Sequence, residues 1–396
     1  MRLRSLVRRC LIATSFVAFS LGLGACAVSS PPTMTVPRTV VVQHVTPIVI
    51  DPTASLTPVP PSPTPEPPSP TPVPTTIPSP TTTPGTTPVD FSRAHPNELG
   101  EIPILEYHLI TNEDGRWSRS WEHFREDLER LYRLGYRTVR LQDIVDDRID
   151  VPAGYSPVVL TFDDSSPGQF TFVDENGTLI PDPHSAVGIL DAFYREHPDF
   201  GRHATFFVLP AADPPHNLFG QDQYQRQKLR YLVEHGMDVG NHTYWHQNLS
   251  RVGDAEVRRQ IGQAVQVINT MIPNYDVDLF ALPEGAWPVH RELAIHGTWH
   301  GTTYTNRAIV LVGAQPALSP DRVGFDPLAL PRIQAIPDQL DLWLNTLARV
   351  PNRRYVSDGN PDLLTFPVTM ASKFRMKPGE KRISSPDPDY EIVRLR

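Results

Sequence analysis

One run of seven residues limits what this chain can become more than any other. Val158-Val159-Leu160-Thr161-Phe162-Asp163-Asp164 is apolar or β-branched until its last two positions. Pro157 precedes it and Ser165-Ser166-Pro167-Gly168 follows. That pattern predicts a buried strand bounded by turns. A strand ending in Asp-Asp delivers two carboxylates to one edge of a sheet, and their side chains leave the backbone in different directions. One could hold a metal while the other handles a proton. The bland alternative is an Asp-rich turn after a strand, which is common.

The foldable part is bounded by the prolines. The chain has 396 residues and 44 prolines, many of them crowded between Ser29 and Thr87 among Thr, Ser and Val. Pro58-Val59-Pro60-Pro61-Ser62-Pro63-Thr64-Pro65 is typical. Such a segment buries no core and favours extended polyproline II, a semi-rigid spacer. Before it, Met1 to Arg9 is basic and Cys10 to Gly22 is a short apolar stretch, the pattern of an export signal. Leu23-Gly24-Ala25-Cys26 resembles a bacterial lipobox, which implies a lipid on Cys26. The expected division is a signal over 1–25, a disordered linker over 26–95, a catalytic domain over 96–350 and an extension over 351–396. The expected place is the cell envelope, anchored by lipid on the outer side of the bacterial cytoplasmic membrane, with secretion as the alternative.

Cys10 and Cys26 are the only cysteines, so the folded part would hold without disulfides. Removing the leader arginines Arg2, Arg4, Arg8 and Arg9 takes the net charge from −8 to −12. No basic run remains to suggest nucleic acid.

Folding is expected to begin near Glu98. Ile102 to His108 reads as a strand ending in His. Ser118 or Ser120 can cap a helix with Trp121, Phe124, Leu128, Leu131 and Leu134 on one face, stopped by Gly135. Tyr136 to Val139 is a short strand and Leu141 to Val145 a short helix. An Asp-Glu-Asn-Gly turn at 174–177 predicts a hairpin insertion. Then come a helix over 186–196, a strand over 204–209, a helix over 223–235, a strand over 237–242, a helix over 254–271 and a strand over 278–283. Weaker units run to about Val350. Strands alternating with helices predict a parallel α/β architecture.

His242-Thr243-Tyr244-Trp245-His246 lies just past one of these strands. Imidazoles four apart can bind one divalent metal, although an isolated pair is more often chance. Position changes that weighting, because a parallel α/β fold gathers its strand C-termini on one face. Two nitrogens, a carboxylate and open positions make a hydrolytic zinc site.

Thr161-Phe162-Asp163-Asp164, Ala204-Thr205-Phe206-Phe207-Val208 and Asn241-His242-x-x-x-His246 occur in that order. Together they resemble the NodB-type polysaccharide deacetylases, carbohydrate esterase family 4, over about residues 98–345. The resemblance implies a distorted (β/α) barrel and a divalent metal, zinc first, with cobalt, nickel or manganese as alternatives. It makes Asp163 the general base and Asp164, His242 and His246 the metal ligands. Two departures matter. The family's Arg-x-Pro-x-Gly is here Ala281-Leu282-Pro283-Glu284-Gly285, without the arginine, and no histidine follows His300. Both resemble the exported poly-N-acetylglucosamine deacetylases of the PgaB and IcaB type, where a Tyr-His after the first strand supplies the acid. Tyr107-His108 fits that pattern, with Glu106 an unusual polar substitution. Leu330-Pro331-Arg332-Ile333 resembles a late motif of the same subgroup and offers Arg332 in place of the absent arginine.

The reading implied is an acetyl-removing hydrolase acting on an extracytoplasmic glycan, with N-acetylglucosamine polymers favoured. The alternative is a glycan-binding or scaffolding lipoprotein with a degenerate site. His123, His197 and His235 fall on predicted helices, and His184, His296 and His300 lack a partner. Trp245 is either a sugar platform or core.

Overall fold

The computed structural model describes residues 90–211 and 217–395. The signal, Cys26 and nearly all of the Pro-rich spacer lie outside the described residues. Eight parallel strands form the central sheet: β1 Ile104–Tyr107, β2 Tyr136–Thr138, β3 Ser156–Phe162, β4 Thr205–Val208, β5 Asp238–Asn241, β6 Leu279–Ala281, β7 Ala308–Val310 and β8 Ile333–Gln334. The order runs β7-β6-β5-β4-β3-β1-β8, and β2 pairs with the start of β3. An isolated bridge pairs Val310 of β7 with Leu330, three residues before β8, and so brings the two outer edges of the sheet together. The result is a distorted (β/α) barrel. Helices over Trp121–Arg133, Ala186–Glu196, Gln225–Glu234, Asp254–Met271 and Pro337–Arg349 follow their strands.

Strand alternation sorts the side chains into two layers. Leu105, Tyr107, Leu160, Phe162, Phe206, Val208, Phe280 and Ile309 face outward into the core under the helices. Ile104, Val159, Phe207, Leu279, Ala281, Ala308, Val310 and Leu330 face inward and fill the barrel. Gly240 is needed on that inner side, since a Cβ there would lie 2.4 Å from the Phe207 ring. The same alternation carries Glu106, Thr161 and Asp163 up the inner wall toward the strand C-termini.

Helix ends follow their sequence signals. Ser120 Oγ accepts from His123 N and caps the first long helix, and Gly135 takes the left-handed conformation just after it. The hairpin turns at Asn176-Gly177 between Phe172–Glu175 and Thr178–Pro181.

One bound differs from expectation, and the packing of the 351–396 extension, open in the sequence, is resolved. Order begins at a short helix, Phe91–Ala94, within the stretch read as linker, because Phe91 is buried and its ring packs on Tyr390. The tail is also structured. Leu363–Pro367, Lys381–Ile383 and Tyr390–Arg394 form an antiparallel sheet over Leu99, Leu364, Phe366, Met370 and Val393. Glu98 ties it down, accepting from Tyr355 Oη, Ser357 Oγ, Asp358 N and Thr365 N. Tyr355 packs with Ile102 and Ile104, so this segment sits at the N-terminal end of the strands. The opposite end is left open for chemistry.

Candidate active site

The site is built around a buried guanidinium. Arg332, just before β8, is fully buried and uses all five N–H donors. Nε donates to Leu311 O at 2.7 Å, and Nη1 to Thr161 Oγ1 at 3.1 Å and Asp163 Oδ1 at 2.8 Å. Nη2 donates to Asp163 Oδ2 at 2.7 Å and Glu106 Oε1 at 3.1 Å. The pairing with Asp163 is therefore two-pronged, the arrangement in which a guanidinium fixes a carboxylate's plane. Glu106 Oε2 is occupied as well, by Gly313 N at 2.7 Å. Burial opposes ionisation of Asp163, but Arg332 outweighs it and holds the carboxyl below the ordinary range. For Glu106 burial wins, and its pKa is raised despite the same arginine. The two acids thus differ in proton affinity while sharing one cation.

Alternation would turn Asp164 away from the barrel. Its backbone prevents that: Asp164 has φ 75° and Ser165 φ 45°, a left-handed pair costing roughly 1–3 kcal/mol per residue. This bend returns the Asp164 carboxylate to the mouth. There it meets His242, whose Nε2 lies 3.3 Å from Asp164 Oδ1, and His246, whose Nε2 lies 3.5 Å from the same oxygen. The histidines come from a loop after β5 that Asn241 shapes. Its Oδ1 accepts from Thr243 N, and its Nδ2 reaches Ile261 O. Thr243 and His246 both have positive φ.

Three ligand atoms within 4.8 Å of one another form this group. His242 Nδ1 donates to Ala281 O at 2.9 Å, which leaves a lone pair on Nε2 of the neutral ring. Asp164 Oδ1 is buried with no hydrogen bond. An anionic oxygen and two imidazole nitrogens converge on one point of the cleft. That donor set fits a divalent cation of the zinc class.

His108 follows β1 on the other side of Asp163. Its Nε2 is 3.8 Å from Glu106 Oε1, and its ring packs against Trp117 at 4.9 Å. Gln169, fully buried, donates from one amide nitrogen to both His108 O and Asp163 O, pinning the two strand ends together. A cleft of about 420 Å³ exposes the whole group. Leu109, Trp117, Leu282 and Val312 make its apolar walls, and Glu284 stands at its edge with Oε2 held by Asn248 Nδ2 at 2.7 Å.

All six residues singled out in the sequence meet here: Asp163, Asp164, His242, His246, His108 and Arg332. Glu106 had one signal, a carboxylate in an otherwise apolar strand, and Gln169 had none. The other histidines lie elsewhere. His123 pairs with Asp114, His184 packs on Trp121 and His300 stacks on Trp299. Trp245 is about half exposed, between the two candidate ligands in sequence, and is not core.

Residues 150–296 match the family model for polysaccharide deacetylase. That stretch of the chain is similar to the polysaccharide deacetylases. The chain is 30% identical over 134 residues to a chitooligosaccharide deacetylase of Sinorhizobium fredii, a match over 34% of this chain and 49% of that protein. The chain thus spans about half the length of this curated relative. A Streptococcus pyogenes deacetylase, PplD, solved in complex with acetate, aligns with TM-score 0.46 and 18% identity over 63% of this chain and 97% of that one. IcaB from Ammonifex degensii aligns with TM-score 0.45 and 16% identity over 64% and 97%. The family match begins after β1 and ends before β8, so His108 and Arg332 lie outside it.

The arginine makes the first test. Arg332→Met leaves two buried carboxylates without a cation, and stability at pH 7 should fall by about 3–5 kcal/mol. A carboxyl with a lowered folded pKa stabilises above its unfolded value, and that contribution is lost as pH falls through the folded one. Wild type therefore loses the Asp163 contribution in acid, and the gap to Arg332→Met should narrow there. Urea unfolding at pH 7 and in the carboxylate titration range measures this; a gap independent of pH would refute it.

Proposed function

We propose that this protein is a metal-dependent hydrolase that removes acetyl groups from a glycan outside the cytoplasmic membrane. An N-acetylglucosamine polymer is the favoured substrate. The observation that carries the reading is the meeting of an arginine-held carboxylate, Asp163, with the Asp164, His242 and His246 group in one cleft. The degenerate-site alternative rested partly on a missing arginine, and Arg332 places a guanidinium on Asp163 from another strand.

A divalent cation held by Asp164, His242 and His246 would supply Lewis acidity toward the acetyl carbonyl. Asp163 is ionised near neutral pH and both its oxygens are fixed, so it is ready to accept a proton from the attacking water. His108 gives a proton to the leaving nitrogen, whose departure as an amide anion would be very unfavourable. Trp117 and Trp245, each more than 40% exposed, offer faces on which a pyranose ring can stack. The sequence departures, the His108 position and the exported character of Cys26 support the poly-N-acetylglucosamine preference. Zinc is the first expectation for the metal.

Acetate release across a glycan panel, with and without chelator, tests the activity. Asp164→Ala, His242→Ala and His246→Ala should each lower metal occupancy, since a three-ligand site tolerates no loss. Asp163→Asn should keep the metal and lose turnover; if it empties the site, the base and ligand roles are exchanged.

His108→Ala should leave folding and metal content intact and reduce amide turnover by about two to four orders of magnitude, the usual size of a general-acid contribution. An ester substrate should suffer less, because an alkoxide leaves more easily. Wild-type amide turnover in His108→Ala would place the acid elsewhere.

Membrane attachment rests on Leu23-Gly24-Ala25-Cys26. Cys26→Ser should release the protein from membranes or block its processing, and unchanged partition in membrane fractions would end the lipid-anchor reading. Firm anchoring needs more than a single acyl chain.

A further inference from the structure

Lys228 is fully buried, and no charged partner of its ammonium is found among the described residues. Buried lysines normally have such a partner. Its partners are two backbone carbonyls, Phe219 O at 2.8 Å and Gly220 O at 3.2 Å, with the Phe170 ring 5.9 Å away. Burial lowers its pKa to about 8, so the cation is held at a cost that these carbonyls offset.

The carbonyls belong to an unusual segment. Leu218, Phe219, Gly220 and Gln221 all have φ between 49° and 68°, four left-handed residues in succession, three of which are not glycine. L-residues avoid such runs, and one persists only where its surroundings over-determine it. Gln221 exchanges two side-chain hydrogen bonds with the Phe172 backbone, and Leu218 N donates to Leu209 O. Lys228 supplies a further tie, through the Phe219 and Gly220 carbonyls.

This turn leads to the metal group. Phe219 N donates to Ser165 O at 2.8 Å, while Leu209 N donates to Ser165 Oγ at 3.0 Å. Ser165 is the second residue of the left-handed pair that turns Asp164 into the cleft. Two strained segments therefore lock together, and Lys228 closes the outer one.

We propose that Lys228 is a positioning residue for the divalent-metal site, holding the 218–221 turn so that Ser165 keeps the Asp164 carboxylate facing His242 and His246. This rests on the metal reading above.

The test is metal affinity of the purified full chain, by zinc titration and by the visible spectrum of the cobalt form. Lys228→Met keeps length and loses charge and donors. It should bind zinc at least ten-fold more weakly, with a changed cobalt spectrum, and Lys228→Arg should recover most of the affinity. Leu229→Ala, a cavity variant at the adjacent buried residue, controls for general destabilisation; it should lower Tm and leave the affinity within two-fold. If Lys228→Met does not fold, Lys228→Gln, which retains a donor, takes its place with the same expectation. Wild-type affinity in the folded Lys228 variant, or an equal loss in Leu229→Ala, overturns the proposal. If wild type binds no divalent metal, the metal reading itself falls. If wild type binds metal and the Lys228 variant binds equally well, only the positioning role does.

Discussion

The Arg332–Asp163 pair is the interaction on which the rest of the site depends. A carboxylate inside a barrel loses its water, and without a cation it would protonate instead of serving as a base. Arg332 prevents this, but a buried guanidinium carries the same demand. The structure meets it by giving every N–H an acceptor: Asp163 twice, Glu106, Thr161 and the Leu311 carbonyl. Because both Asp163 oxygens are engaged, the plane of the carboxylate is set before any ligand arrives. Glu106, raised in pKa by burial, is the second acid in this network and lies between the arginine and His108.

The layering of the barrel makes such a network affordable. Ile104, Val159, Phe207 and Val310 fill the lower interior, and the C-terminal segment covers the strand N-termini through Tyr355 and Glu98. Water is thereby kept from below, while the polar layer opens to the cleft above. No disulfide takes part, since the described residues include no cysteine. Strain is concentrated at the mouth: Asp164, Ser165, Thr243, His246 and Glu284 all have positive φ without being glycine. Residues held in sparsely populated conformations cluster where surrounding contacts over-determine them, and here those contacts include Gln169 and Asn241.

Much was legible in the chain because the signals were local. Short apolar runs bounded by turn residues marked β1, β3, β4, β5 and β6. Asp163 and Asp164 were visible as charges ending an apolar run, and His242 and His246 as a spaced pair beyond a glycine. The rule that parallel strands gather their C-termini places these four on one face of the fold. What tertiary structure alone decided involves partners far apart or backbone bends without a residue signature. Arg332 stands 169 residues from Asp163, and nothing in its neighbourhood specifies which carboxylate it meets. Asp164 faces the cleft only because of a left-handed turn at two non-glycine residues, which no propensity announces. Gln169 and Lys228 look like ordinary polar residues in sequence, and their roles exist only through backbone carbonyls delivered by other strands and loops. The packing of the tail was open in the sequence because its short strands bury a small core completed by Leu99, at the other end of the folded chain. Local chemistry chose the candidate ligands and base; long-range packing chose their directions and their counter-charge.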